Sequence, residues 1–107
     1  MAKDSKSQEI SKEQAQKFLS KVPEENVFWC YDGRIFKDMK ELAEGLVKMP
    51  DEVFAYHANS EKNDFSNWVR DVIKDEKLAD DLAQATNKAQ AAGCVATRLT
   101  YLIVQVT

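Results

Sequence analysis

The sequence contains few of the residues that most often build metal sites or covalent cross-links. It has two cysteines and one histidine in 107 residues. Cys30 and Cys94 lie far apart in the chain and form no paired motif, whereas a structural zinc site needs four ligands. We therefore expect no metal and no cofactor. Each cysteine is interpreted as a small apolar residue of the core, which is the usual role of a free cysteine.

Long apolar runs are absent as well. Uninterrupted apolar stretches such as Tyr101–Val104 are far shorter than the roughly 20 residues that a membrane-spanning helix needs. The polar N-terminal residues lack the apolar run of a secretory signal. These features predict a protein with no membrane partner and a cytoplasmic location.

Neither sign of charge dominates the sequence. Fifteen basic and eighteen acidic residues give a net charge of −3, and the two kinds are interleaved. Non-specific nucleic-acid binding draws its affinity from basic residues that neutralise phosphates, so this balance argues weakly against it. However, no acidic residue follows Leu82. Nucleic-acid binding therefore stays an alternative function, through a basic surface of Arg34, Lys37, Lys40, Lys88 and Arg98.

The length is that of one domain. Residues 1–10 are polar and are predicted to form a flexible tail, and residues 11–107 a single domain. The predicted fold is α+β and mainly α, with an N-terminal β-hairpin packed on a bundle of five to six short helices. Helix-capping patterns place the helix starts. The predicted N-cap residues of the helices are Ser11, Asp38, Asp51, Asp64, Asp75 and Thr86.

The segment VFWCYDGRIF predicts the hairpin, because Asp-Gly between apolar runs is a strong signal for a two-residue turn. A turn at Asp32 and Gly33 sets Cys30 opposite Ile35 and Trp29 opposite Phe36. Phe28, Cys30 and Ile35 then share one face, and Trp29, Tyr31 and Phe36 share the other. Trp29 and Trp68 are both expected in the core or at its edge.

The C-terminal segment, residues 94–107, fits two descriptions. Its apolar residues recur at helical spacing, whereas its many β-branched residues also permit a strand; the period favours the helix. On a helix, Tyr101 and Val104 widen the apolar stripe beyond what packing on a small domain needs. We therefore predict that the chain forms a homo-oligomer through Leu99, Tyr101 and Val104.

Three segments carry a resemblance to a known family: FWCYDGRIF, KELAEGL and DEVFAYHANSEKNDFSNWVRDVI. Together they resemble an uncharacterised, mainly archaeal family of unknown function. Its members share the Asp-Gly-Arg hairpin, a Leu-Ala-rich helix and a Tyr-His-x-Asn segment that leads into Trp-Val-Arg-Asp. The family usually has glycine where this chain has Lys74, at a helix end. The resemblance implies a helical C-terminal segment, but it implies no reaction, cofactor or partner.

The segment Tyr56–Asp71 is unusually rich in groups that titrate or form hydrogen bonds. One interpretation is structural, with helix caps, surface ion pairs and a histidine at the core edge bonded to a loop carbonyl or to Asp64. A second is catalytic, with His57 as a base oriented by Asp64, but no placed nucleophile is evident. The third is a recognition surface, whose candidate residues are His57, Asn59, Lys62, Asn63, Asp64 and Arg70.

No set of catalytic residues can be assembled from these patterns. The sequence therefore predicts a non-enzymatic protein-interaction or regulatory module with an unknown protein partner. The alternatives are a nucleic-acid-binding protein, and a small-molecule binder or enzyme that uses the His57 segment.

Overall fold

The computed structural model describes residues 10–107, so the tail predicted at residues 1–10 lies outside the described residues except for Ile10. Over this range the predicted α+β, mainly α, fold is confirmed. The helices are α1 (Lys12–Leu19), α2 (Met39–Lys48), α3 (Asp51–His57), α4 (Asp64–Trp68), α5 (Glu76–Gln84) and α6 (Lys88–Val106). An antiparallel hairpin, β1 (Phe28–Trp29) and β2 (Ile35–Phe36), lies between α1 and α2.

Three of the predicted helix caps are confirmed. The Ser11 side chain accepts a hydrogen bond from the Gln14 amide, Asp38 accepts from the Glu41 amide, and Asp75 accepts from the Leu78 amide. In each case an oxygen one residue before the helix satisfies an amide that has no partner within the helix. Three of the helix starts were therefore placed correctly from capping chemistry alone.

The other three predicted caps are wrong by one residue. Asp51 and Asp64 are the first residues of α3 and α4, and α6 is capped by Asn87 rather than Thr86. Pro50 precedes α3 without a side-chain cap, whereas Asn63 caps α4 by accepting from the Ser66 amide at 3.0 Å. The cause is the neighbouring asparagine at α4 and α6, which caps as well as aspartate or threonine does.

The register predicted for the hairpin is wrong by one residue. Phe28 pairs with Phe36 and Trp29 with Ile35, because the loop has three residues rather than two. The Gly33 amide donates to the Cys30 carbonyl at 2.9 Å, and within this loop only Gly33 takes a positive φ, of 96°. Such a loop shifts one strand against the other. Ile35 and Phe36 consequently exchange the faces that were predicted for them.

The inner face of the hairpin packs into the core. The Phe28 ring contacts those of Phe36, Phe65 and Trp68, with centroids 5.6, 5.1 and 5.8 Å apart. The Phe36 ring lies directly over Gly45 of α2, where a Cβ would meet it. Trp68 is 8% exposed, as predicted, and its indole N–H donates to the Asn26 carbonyl at 2.8 Å. These contacts fix the hairpin on the helices.

The outer face of the hairpin is open. Trp29 is 68% exposed, so its predicted place in the core is wrong. The strand alternates, and Phe28 and Cys30 occupy the buried positions on either side of Trp29, so Trp29 lies on the face that points away from the core. Tyr31 and Ile35 are exposed on the same outer face.

The helix predicted for the C-terminal segment is confirmed, since α6 continues to Val106. It packs against α1, α2 and α5 and contributes Ala91, Val95 and Leu102 to the core. Before α5, a π-helical turn (Val69–Ile73) ends at Lys74, which takes a left-handed φ of 76°. α5 then begins after Asp75, at the position where the sequence pattern placed a helix start.

Candidate functional site

The single histidine links the hairpin to the polar segment. His57, at the end of α3, is 4% exposed and lies against the rings of Phe28 and Phe65. Its Nε2 accepts a hydrogen bond from the Tyr31 backbone amide at 2.9 Å, and its Nδ1 lies 2.9 Å from Oδ2 of Asp64. Both ring nitrogens are therefore engaged inside the protein. This is the core-edge geometry of the structural interpretation, with Asp64 as the partner.

Asp64 also binds the neighbouring lysine. Its Oδ2 lies 3.0 Å from Nζ of Lys62. Partial burial raises the pKa of the Asp64 carboxyl, but hydrogen bonds from His57 and Lys62 outweigh it, so the pKa is held below its ordinary value. The carboxylate is consequently charged at neutral pH. Its Oδ2 binds both the imidazole of His57 and the ammonium group of Lys62.

Above this polar network lies a pair of stacked, exposed tyrosines. The rings of Tyr31 and Tyr56 are nearly parallel, with centroids 4.2 Å apart, and the two residues are 65% and 48% exposed. Nζ of Lys62 lies 4.5 Å from the centroid of the Tyr56 ring. With the outer face of the hairpin, these residues form what we call the aromatic surface: Trp29, Tyr31, Ile35, Tyr56 and Lys62.

The remaining candidates in the polar segment have structural partners. Asn59 is exposed, and its side chain donates to the carbonyls of Ala55 and Tyr56, closing the end of α3. Asn63 caps α4, and its amide nitrogen donates to the Leu82 carbonyl. The Arg70 guanidinium binds Asp80 at 2.8 Å. Of the six candidates, Lys62 is the one that the structure places within the aromatic surface.

The basic residues named for nucleic-acid binding are dispersed, and most are paired. Arg98 donates from two nitrogens to the buried Asp75, at 2.7 and 2.9 Å. Lys88 donates to the Met49 carbonyl at 2.7 Å. The Arg34 guanidinium lies 3.2 Å from the Asp32 carboxylate. The two others, Lys37 and Lys40, are exposed around the start of α2.

The residues named for self-association differ in their exposure. Leu99 and Tyr101 are partly buried, and the Tyr101 hydroxyl accepts a hydrogen bond from the Ile10 amide at 3.3 Å. Val104 is 62% exposed and the adjacent Ile103 is 48% exposed. The open apolar surface of α6 is therefore its C-terminal end rather than the flank that carries Tyr101.

The chemistry available to a reaction is limited. His57 has neither a free nitrogen nor access to solvent, so it offers a substrate no base. Burial raises the pKa of the thiols of Cys30 and Cys94, which keeps them protonated and poorly nucleophilic at neutral pH. Within residues 10–107, no three His, Cys, Asp or Glu side chains are grouped to hold a metal ion.

Sequence reasoning missed most of the aromatic surface. Tyr31 was placed beside Trp29 on one hairpin face, but its stacking on Tyr56 depends on how the hairpin meets α3. A three-residue loop at Asp-Gly, with glycine at the positive-φ position, is also common and would have given the correct register and placed Ile35 beside Trp29 and Tyr31. No local pattern indicates the stacking contact itself.

Comparison of the chain with family models, with curated proteins and with solved structures finds no match in any of the three. Among the helices of residues 10–107, none has both the length and the apolar character for crossing a membrane.

Proposed function

We propose that this chain is a non-enzymatic protein-interaction module, and that it contacts a segment of its partner protein through the aromatic surface. The observation that carries the proposal is the exposure of Trp29, Tyr31 and Tyr56 together. Tyrosine and tryptophan are the residues that most often dominate the binding energy of protein interfaces. These three aromatic side chains are exposed on one side of a small domain, where they contribute little to the core.

The aromatic surface is also held rigid. The backbone amide of Tyr31 is bonded to His57, and its ring lies on that of Tyr56. A contact surface that is ordered before binding loses less conformational entropy when a partner arrives. The polar network around His57 thus serves recognition indirectly, by positioning Tyr31.

Charge disfavours the nucleic-acid alternative. Arg34, Lys88 and Arg98 are already engaged within the chain. Phosphate binding would have to displace these partners, since its affinity comes from cations that neutralise phosphates. Lys37 and Lys40 alone offer a small basic area, so nucleic-acid binding is the second candidate.

The test is affinity capture from the native host with three forms of the chain. Tyr31→Ala removes the ring and leaves the backbone amide that binds His57. Val47→Ala is the matched control, because Val47 is 68% exposed on α2 and lies outside the aromatic surface. We expect a stoichiometric protein partner that survives nuclease treatment, is retained by Val47→Ala and is lost with Tyr31→Ala.

Two results would contradict the proposal. One is a partner that both variants retain equally, provided that their melting temperatures show both to be folded. The other is a complex that disappears on nuclease treatment, which would favour the nucleic-acid alternative.

Three further expectations belong to the same proposal. We place the interaction in the cytoplasm, we keep the resemblance to the uncharacterised archaeal family as a prediction, and we keep self-association through α6 as an additional contact. Capture with a tagged and an untagged copy of the chain tests the last of these directly.

A further inference from the structure

We propose that the partner segment is a proline-rich peptide in the polyproline II conformation. This inference rests on the proposed function, and it adds the chemistry of the partner. It is carried by three properties of the aromatic surface: open ring faces, hydrogen-bond donors without acceptors, and charges that are already balanced.

The first property is the exposure of the aromatic ring faces. Tyr31 is 65% exposed although one side of its ring is stacked on Tyr56, so its other side faces solvent. Trp29 projects from the same outer face of the hairpin and is 68% exposed. Exposed aromatic rings are the surface on which the pyrrolidine rings of a polyproline II helix pack.

The second property is the polar atoms of these rings. Among residues 10–107, no group accepts a hydrogen bond from the indole N–H of Trp29 or from the hydroxyls of Tyr31 and Tyr56. By contrast, the buried Trp68 and the half-buried Tyr101 both have hydrogen-bond partners. A proline-rich peptide supplies the complement, because its carbonyls are acceptors, its prolines carry no N–H, and its backbone makes no internal hydrogen bonds.

The third property is the charge balance. Lys62 is paired with Asp64 at 3.0 Å, and Arg34 with Asp32 at 3.2 Å. Both cations, Lys62 over the Tyr56 ring and Arg34 next to Ile35, are therefore already paired within the chain. A neutral segment matches such a surface, whereas a polyanion or an acidic peptide would have to compete with the carboxylates of Asp32 and Asp64. This complementarity selects an uncharged proline-rich peptide over single-stranded nucleic acid, which also stacks on aromatic rings.

The experiment is a titration of the full chain with acetyl-nonaproline amide, followed by the two indole N–H signals in a ¹H–¹⁵N NMR spectrum. The chain has two tryptophans. Trp29 is on the aromatic surface, while Trp68 donates to the Asn26 carbonyl in the core and serves as the internal reference. A glycine-serine peptide of equal length and a thymidine oligonucleotide at two salt concentrations are the comparison ligands.

We expect saturable movement of the Trp29 signal with nonaproline, a stationary Trp68 signal, and no movement with the glycine-serine peptide. Tyr31→Ala should weaken the binding about tenfold or more, which is the range of an interface hot spot. Tyr31→Phe keeps the ring and removes only the hydroxyl, so it should weaken binding less. Val47→Ala should bind as the wild type does.

The inference is overturned if nonaproline leaves the Trp29 signal unmoved, if the glycine-serine peptide moves it equally, or if only the oligonucleotide moves it and does so less at high salt. These failures are distinguishable from failure of the proposed function. If Tyr31→Ala still abolishes capture of a protein partner from the host, the interaction surface stands and only the polyproline chemistry is wrong.

Discussion

The backbone amide of Tyr31 and the side chain of His57 fix each other across 26 positions of sequence. Because the amide is a donor, Nε2 of His57 must be the acceptor, and the ring proton lies on Nδ1, which donates to Asp64. The histidine is thus a two-sided connector between the hairpin and α4.

Two substitutions at His57 separate these contacts. Glutamine places an oxygen near the position of Nε2 and keeps an acceptor for Tyr31, whereas asparagine places its amide near Nδ1 and keeps a donor for Asp64. We expect His57→Gln to retain slow hydrogen exchange at the Tyr31 amide and His57→Asn to lose it. Each should lower the free energy of unfolding by about 1–3 kcal/mol, the cost of leaving a buried polar group unpaired. Equal exchange in both variants would contradict the connector role.

The two tryptophans give a direct test of the architecture. Trp68→Ala should cost about 3–5 kcal/mol, because it empties a core position and leaves the Asn26 carbonyl without its donor. Trp29→Ala should change stability by no more than about 0.5 kcal/mol, as surface substitutions usually do. Urea unfolding of both variants measures the difference. A strongly destabilised Trp29→Ala would mean that the outer face of the hairpin is covered by something in the folded chain.

Substitutions at Gly33 and Gly93 should change the stability of the domain in opposite directions. Gly33→Val forces a β-branched residue to a φ of 96°, and should destabilise the domain by about 1–3 kcal/mol although nothing lies within 4 Å of the added Cβ. Gly93 is exposed within α6, where a Cβ also meets nothing within 4 Å. Gly93→Ala should therefore stabilise by about 0.5–1 kcal/mol through helix propensity. Thermal melting of both variants checks the pair, and an unchanged Gly33→Val would show that the loop is misassigned.

Asp64 should make the stability of the domain sensitive to acid. Its pKa is lower in the folded chain than its ordinary value, so its contribution is present above the ordinary pKa and is lost as the pH falls through the folded pKa. We expect Asp64→Asn to be less stable than the wild type at neutral pH. The difference should shrink as the solution is acidified below the ordinary pKa of aspartate. Urea titrations across this range measure it, and a difference independent of pH would refute the role of the charge.

Self-association remains a prediction, now located at the C-terminal end of α6. The helix has no acidic residue, and its cations Lys88 and Arg98 are bonded within the chain, so two copies of α6 meet without like-charge repulsion. Val104→Lys should shift sedimentation toward the monomer, whereas Val47→Lys, at an equally exposed valine on α2, should not. A wild type that is monomeric at high micromolar concentration would exclude the contact.

Capping chemistry predicted the helices well because it acts over three or four residues. Ser11, Asp38 and Asp75 each satisfy an amide three positions away, so both partners of the interaction lie within one short stretch of the sequence. The predictions of Asp51, Asp64 and Thr86 are wrong by one residue. The residues that directly precede these helices are Pro50, Asn63 and Asn87. The helical spacing of the apolar residues likewise predicted α6 correctly despite its many β-branched residues. Burial of an apolar stripe stabilises a helix more than intrinsic helix propensity does.

The candidate site was only partly predictable, because it depends on contacts between distant segments. The contact between His57 and Asp64 spans seven positions and was among the interpretations of the sequence. The contact of Tyr31 with Tyr56 spans 25 positions and requires the correct hairpin register, which a single loop residue changes. The shift of one residue exchanged the faces of Ile35 and Phe36. Trp29 was expected in the core or at its edge as an aromatic residue, so the aromatic surface was missed.

The packing of α1 on α6 has a kinetic consequence. These are the first and last described helices, and they lie side by side, so folding must close a loop of about 70 residues before their mutual contact forms. Contacts of this kind raise the contact order, and folding slows as the contact order rises. We expect the domain to fold more slowly than an up-and-down helical bundle of the same length, with α1 and α6 docking late and their contact contributing mainly to the rate of unfolding.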